Sequence, residues 1–127
     1  MKHSTSSQGA HAESQFLAYA LENGWEVSIP FNKAVAYDYV IRRHPDVPWE
    51  TVQVKRAYYV IKPSRKKVLE VGFRRRDGSK VRPYREGDFD WLFSYHKDGR
   101  WFMPWDLLKG RRSGVQVGAT KYDLWKV

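Results

Sequence analysis

Four polar side chains sit at spacings that can do chemistry. Glu13 lies three, four and seven residues before Phe16, Leu17 and Ala20, so helical spacing puts it on an apolar stripe. A carboxylate there calls for a partner or a cation, because an unpaired buried charge is costly. Its plainer use is to sit near the positive end of the helix, worth about 0.3–1 kcal/mol. Asp38 stands between Tyr37 and Tyr39, and strand alternation puts it on one face with Ala36 and Val40. Asp is depleted in strand interiors, so it pairs with a cation, caps a bulge or binds a metal. In Val52-Gln53-Val54-Lys55 the valines point one way and Gln53 and Lys55 the other, about 7 Å apart along the strand. The ordinary role of such a pair is the polar face of a half-exposed sheet.

The elements that must position these groups follow from pattern. Ser7 is placed to cap a helix over residues 8–22, with Phe16, Leu17, Ala20 and Leu21 as its stripe. Asn23-Gly24 ends it, and residues 1–6 read as a frayed end. Strands are expected over 25–29, stopped by Pro30, over 36–42, and over 51–61 after a turn with two prolines. A basic loop covers 62–67. Residues 68–75 and 80–84 read as a hairpin across Asp77-Gly78, and 89–96 with 100–103 as another across Asp98-Gly99, because Asp-Gly favours the positive φ of a tight turn. One helical turn is expected at 105–108 and a flexible basic loop at 110–114. Residues 115–127 carry no clear pattern; Tyr122, Leu124 and Trp125 suit a contact between copies or, preferably, the core. A helix followed mostly by strands predicts an α/β (α+β) architecture, an N-terminal helix packed on a central mixed sheet with β-hairpins added.

At 127 residues, 42% apolar and 16% aromatic, the chain has enough apolar material for one core and is expected to form a single domain over 1–127. It has no Cys, so disulfides and thiolate zinc sites are excluded. His3, His11, His44 and His96 lack the spacing of a zinc site. No apolar run approaches the roughly 20 residues of a membrane span, and the polar N-terminus lacks a signal sequence; a cytoplasmic protein with no membrane partner is expected.

Charge is lopsided. Residues 1–54 carry four basic and six acidic side chains, residues 55–127 nineteen and eight, within a net charge of +9. Such a concentration suits a polyanion, because each phosphate neutralised releases condensed counterions. The candidate phosphate contacts are Arg65, Lys66 and Lys67; Arg74, Arg75 and Arg76; Arg82 and Arg85 beside Tyr84; and Arg111 with Arg112. Contacts of this kind position a nucleic acid without reading its sequence, while the two-stranded ribbon over 68–84 is narrow enough for a major groove.

A helix with an inward Glu, a strand Asp and a later x-Lys strand together resemble the PD-(D/E)XK nuclease superfamily. The nearer likeness is to small endonucleases encoded in group I introns of bacteria, in which Gln replaces the acid before x-Lys. The stretches that carry it are Gly9, Ala12-Glu13, Gly24-Trp25, Ser28-Ile29-Pro30, Tyr37-Asp38-Tyr39-Val40 and Val52-Gln53-Val54-Lys55, then Tyr84, Asp88-Phe89-Asp90-Trp91-Leu92-Phe93 and Trp101-Phe102-Met103-Pro104. The likeness spans about residues 7–108. Two departures stand out: Arg56 follows Lys55 where the family often has Thr or Ser, and Gln53 leaves the site one negative charge short of the commoner pattern.

The resemblance implies a restriction-endonuclease-like core and a metal-dependent DNA endonuclease of the homing type. It implies Asp38 as the main ligand of Mg²⁺, with Mn²⁺ as a substitute. Glu13 would be a second carboxylate, direct or through water, and Gln53 a weaker neutral oxygen ligand. Lys55 would position or deprotonate the attacking water and offset charge on the phosphate. Double-stranded DNA is the implied partner, and a chain this small would cut both strands as a homodimer or homotetramer. Two alternatives stay open: a structure-selective nuclease of the junction-resolvase type, which shares this layout, and a non-catalytic DNA-binding domain on a nuclease fold.

Overall fold

The computed structural model describes residues 5–127, with side chains from Ser7 onward. The frayed end expected over 1–6 therefore lies outside the described residues, except for the helical backbone of 5 and 6. Helix α1 (Thr5–Glu22) starts earlier than expected, with Ser7 inside its first turn rather than capping it. N–H groups there have no intrahelical partner in any case, so serines are tolerated. The helix ends as its sequence indicates, at Gly24 with a φ of 73°. Its buried row is Ala12, Phe16 and Ala20. Leu21, expected in that row, is 69% exposed, because it falls about 100° round the helix from Ala20.

The strands in chain order are β1 (Glu26–Ser28), β2 (Tyr39–Arg42), β3 (Glu50–Arg56), β4 (Tyr58–Ile61), β5 (Lys67–Gly72), β6 (Arg74–Asp77), β7 (Lys80–Pro83), β8 (Trp91–His96), β9 (Gly99–Pro104) and β10 (Gly114–Val115). Helix α2 (Trp105–Leu108) follows β9, and a 3-10 turn (Thr120–Trp125) comes near the end. The central sheet has the order β1-β2-β3-β8-β9. It is mixed: β3 and β8 run parallel and the other neighbours antiparallel. A parallel pair needs a long crossover, and residues 57–90 supply it. They carry β4 and β5, which join β10 in a second sheet, and the β6–β7 hairpin.

Apolar residues cover both faces of the central sheet. On one face α1 packs Ala12, Phe16 and Ala20 against Tyr39, Ile41, Val52, Val54, Phe93 and Phe102. On the other, Leu92, Trp101 and Met103 meet Leu69, Val71, Phe73 and Val115 from the second sheet, with Tyr84, Phe89, Leu108 and Tyr122. The α+β architecture is the one expected, a helix on a mixed sheet with antiparallel strands added.

Several local expectations are corrected. The strand over 51–61 is two strands. Ala57 is fully buried and still donates its N–H to Tyr95 O at 2.8 Å, after which the chain leaves to pair with β5. The strand over 68–75 likewise breaks at buried Phe73, and β6 then pairs with β7. The first hairpin turns one residue late, at Gly78-Ser79 with φ 63° at Gly78, and the second turns at Lys97-Asp98, closing the pair His96↔Gly99. At the C-terminus Tyr122 is buried and Trp125 packs on the core, but Leu124 is 91% exposed. No helix among the described residues is long and apolar enough to cross a membrane.

The β6–β7 hairpin is fastened by charge. Arg82 donates to both oxygens of buried Asp88, at 2.8 and 3.0 Å, and to Asp77 at 2.7 Å, while Arg75 lies 2.8 Å from Asp77 and 3.6 Å from Asp88. Burial pushes the Asp88 carboxyl up, but hydrogen bonds from Arg82 and from the Arg85 N–H, with the charges of both arginines, hold it below the usual carboxylate range. A depressed native pKa adds stability above the ordinary Asp range that is lost as pH falls through the native value. Asp88→Asn is therefore expected to cost about 2 kcal/mol at pH 7, the scale of hydrogen bonds to a charged group. In urea titrations the gap to the parent should begin to narrow below about pH 4 and close only as pH falls through the depressed native value.

Candidate active site

Asp38 sits just before β2, at the end of the ladder. Its own N–H donates to Val52 O at 2.8 Å, and its Oδ2 accepts the Val54 N–H at 2.8 Å. The side chain thus stands in for a backbone carbonyl where the strand pair stops. The alternation read from β3 holds: Val52 and Val54 are buried under α1, and Gln53 and Lys55 are half-buried on the other face. Asp38, Gln53 and Lys55 line one open cleft of about 540 Å³, walled by 33–36, Tyr84 and the hairpin residues 74–78. A smaller cleft of about 290 Å³ is lined by Glu13, Tyr37, Asp38 and Tyr39. Asp38, Lys33 and Val35 belong to both. Glu13 and Lys55 therefore approach the same carboxylate from different sides.

The electrostatics follow from burial and from that convergence. Desolvation pushes the Asp38 carboxyl up and the nearby Glu13 charge adds to it; the Val54 hydrogen bond, Lys55 and Lys33 pull the other way without cancelling the rise. Burial also lowers the Lys55 ammonium, with Asp38 opposing. Lys55 Nζ lies over the Tyr84 ring, 5.5 Å from its centroid. Glu13 Oε1 accepts the Tyr39 hydroxyl at 3.0 Å, and burial, with that hydrogen bond, pushes the Tyr39 phenol well up. Gln53 Nε2 donates to Val54 O at 3.3 Å.

The donor set is hard oxygen. The hydrogen bonds among the described residues leave Asp38 Oδ1, Glu13 Oε2 and Gln53 Oε1 uncommitted. Two carboxylates whose charges oppose one another, with an amide oxygen nearby, fit a divalent cation such as Mg²⁺, which takes one or two carboxylates and keeps waters. No group of three Asp, Glu, His or Cys side chains among the described residues could hold a metal by itself. The fit is thus to an ion that completes its shell with water or phosphate oxygens.

A family model described as PD-(D/E)XK endonuclease matches residues 3–122. The chain belongs to the PD-(D/E)XK endonuclease family. A solved structure, that of the bacterial homing endonuclease I-Ssp6803I, is similar with a TM-score of 0.74 and 26% identity, covering 95% of this chain and 82% of that one. The architecture is accordingly restriction-endonuclease-like. No curated protein sequence matches the chain.

The basic residues expected to contact phosphate fall into groups. Arg74, Arg75 and Arg76 line the Asp38 cleft. The Arg75 guanidinium is held, donating to Ala34 O at 2.6 Å and pairing with Asp77, and Arg82 is held by Asp77 and Asp88. Lys66 and Lys67 line a different pocket, with Tyr59 and Lys126. Arg65, Arg85, Arg111 and Arg112 are exposed, Arg65 with a φ of 65° in the turn before β5. Arg56, a departure from the family pattern, lines a separate pocket with His11 and His96, so it does not crowd Lys55. Tyr39 and Tyr84 lie within the stretches that carry the family resemblance and Lys33 within none of them. A hydroxyl bond spanning 26 residues, from Tyr39 to Glu13, leaves no local signal.

A raised native pKa means that stability falls as pH rises from the ordinary Asp range through the native value, and the full cost stays above it. Asp38→Asn keeps an oxygen for the Val54 N–H and removes that charge. It is expected to raise the thermal midpoint by a few degrees at pH 7, a gain that vanishes below about pH 4, where the parent carboxyl is protonated in both states.

Proposed function

We propose that this chain is a metal-dependent DNA endonuclease that cuts a defined duplex site, in the manner of a homing enzyme. The observation that carries the proposal is the placement of Asp38 in the walls of both clefts, next to Glu13 on one side and to Gln53 and Lys55 on the other. Similarity to a bacterial homing endonuclease over nearly the whole chain supports the site-specific form. In this reading residues 1–127 act as one nuclease domain.

Asp38 and Glu13 would hold Mg²⁺ or Mn²⁺, with Gln53 offering a weaker amide oxygen. When bound, the ion supplies charge stabilisation at the phosphoryl oxygens and a water of lowered pKa. Lys55 keeps a cation in a poorly solvated place, where its attraction for negative charge building on the phosphate exceeds that in water. Its lowered pKa also brings proton exchange with a water nearer to neutral pH. Tyr84 supports the ammonium from below, and Tyr39 fixes the Glu13 carboxylate. Arg74 and Arg76 would meet phosphates at the cleft. Arg65, Lys66, Lys67, Arg85, Arg111 and Arg112 would meet them farther along the duplex, while Arg75 and Arg82 brace the hairpin. Cutting both strands needs a second site, hence a homodimer or homotetramer.

The test is cleavage of linear plasmid and of four-way junctions in Mg²⁺ and Mn²⁺, with products mapped to sequence. Cuts at one recurrent sequence are expected. Equal cutting of any junction would favour the resolvase reading, and binding without cutting in either ion the non-catalytic one. Asp38→Ala and Lys55→Ala should each lower cleavage about a thousandfold, the scale of several kcal/mol of transition-state stabilisation, with duplex binding retained. Gln53→Glu should tighten Mn²⁺ binding severalfold in calorimetry, because it restores a negative ligand. Mn²⁺ affinity of the parent should weaken as pH falls through the raised pKa of Asp38, since protons compete for that oxygen.

A further inference from the structure

We propose that Phe31 is a nucleobase contact, a ring that stacks on a base beside the phosphate held at the Asp38 cleft; this rests on the DNA-endonuclease reading above. Phe31 is fully exposed, at 102% of its reference surface, and Ile29 is 62% exposed. A lone exposed aliphatic residue needs no explanation. A whole aromatic ring in water, on the loop that leads into the principal carboxylate, does. Aromatic rings are large apolar surfaces that bury well against a partner, and Phe31 buries nothing in its own chain.

The loop is tied at a fixed place. Asn32 Oδ1 accepts the Ala34 N–H at 3.0 Å, and Ala34 O accepts from the Arg75 guanidinium at 2.6 Å. The hairpin thus grips the loop three residues past Phe31. Ile29 and Pro30 line the small cleft beside Glu13 and Asp38. Phe31 is therefore carried on the rim of the site by a loop fastened on its C-terminal side.

Charge selects the occupant. Lys33, Arg74 and Arg76 line the Asp38 cleft, and none of them forms an ion pair among the described residues. Unpaired cations around an exposed ring are the combination that binds a phosphate backbone and stacks a base, and apolar side chains at such places wedge between base steps. A second copy of this chain matches poorly, because its own net charge of +9 would add to these cations.

The experiment uses a duplex containing the site mapped from parent cleavage, with 5-iodouracil placed singly along it. Irradiation in Ca²⁺ is expected to cross-link Phe31 at one position within a few bases of the cut, identified by mass spectrometry. Phe31→Ala should leave the thermal midpoint unchanged and weaken duplex binding roughly 5- to 150-fold, the range of one base–aromatic stack, while Phe31→Trp restores it. A parent that cuts, paired with an alanine variant that binds as tightly and no cross-link to Phe31, overturns the inference alone. A variant that changes only oligomer size in light scattering overturns it in favour of a contact between copies. A parent that neither binds nor cuts duplex DNA overturns the endonuclease reading and the inference together.

Discussion

The hydrogen bond from the Val54 N–H to Asp38 Oδ2 organises the site. It ends the pairing of β2 with β3 on a carboxylate instead of a carbonyl, and so sets a charge at the margin of the central sheet. From that margin, residues of either face can reach it. Glu13 arrives from the helix side, steadied by Tyr39. Gln53 and Lys55 come from the opposite face, through the two-residue period of β3. A shift of β3 by one residue would turn Lys55 into the helix-side core and bring Val54 to the cleft.

The arrangement carries an energetic cost of the kind associated with active sites. Asp38 and Lys55 are both poorly solvated, and each is pushed toward its neutral form. No ion pair within 4 Å joins them among the described residues. What sustains the charges is the apolar packing behind them: the Phe16 row under β3 on one side, and the Phe73–Tyr84–Phe89 cluster on the other. The Asp77–Asp88 arginine network adds stability outside the site. It also ties the hairpin to the loop that bears Asp38, through Arg75 and Ala34 O. The structural use of some cations thus sits beside the unpaired state of others.

Much of the site was legible because its signals are local. Alternation in Val52-Gln53-Val54-Lys55 survives in the structure, as does the inward turn of Glu13, whereas the Asp expected inside a strand over 36–42 lies just ahead of β2. The breaks at Ala57 and Phe73 were not legible. Each is an apolar residue that would continue a strand as readily as end one, and the choice to leave one sheet for another depends on partners distant in sequence. The same limit hid the difference among the arginines. Arg74, Arg75 and Arg76 are alike in composition, but alternation along β6 gives Arg75 to Asp77 and Ala34 O and leaves its neighbours uncovered. Helical spacing points Leu21 at the core and the aromatic C-terminal end favours the same for Leu124, but neither finds a surface opposite it.

A divalent cation shared by Asp38 and Glu13 is read most plainly in an anomalous difference map from crystals soaked in Mn²⁺. One strong peak is expected within ligand distance of both carboxylates, with water or phosphate oxygens completing its shell. A peak bound by neither carboxylate, or no peak at saturating Mn²⁺, would contradict it.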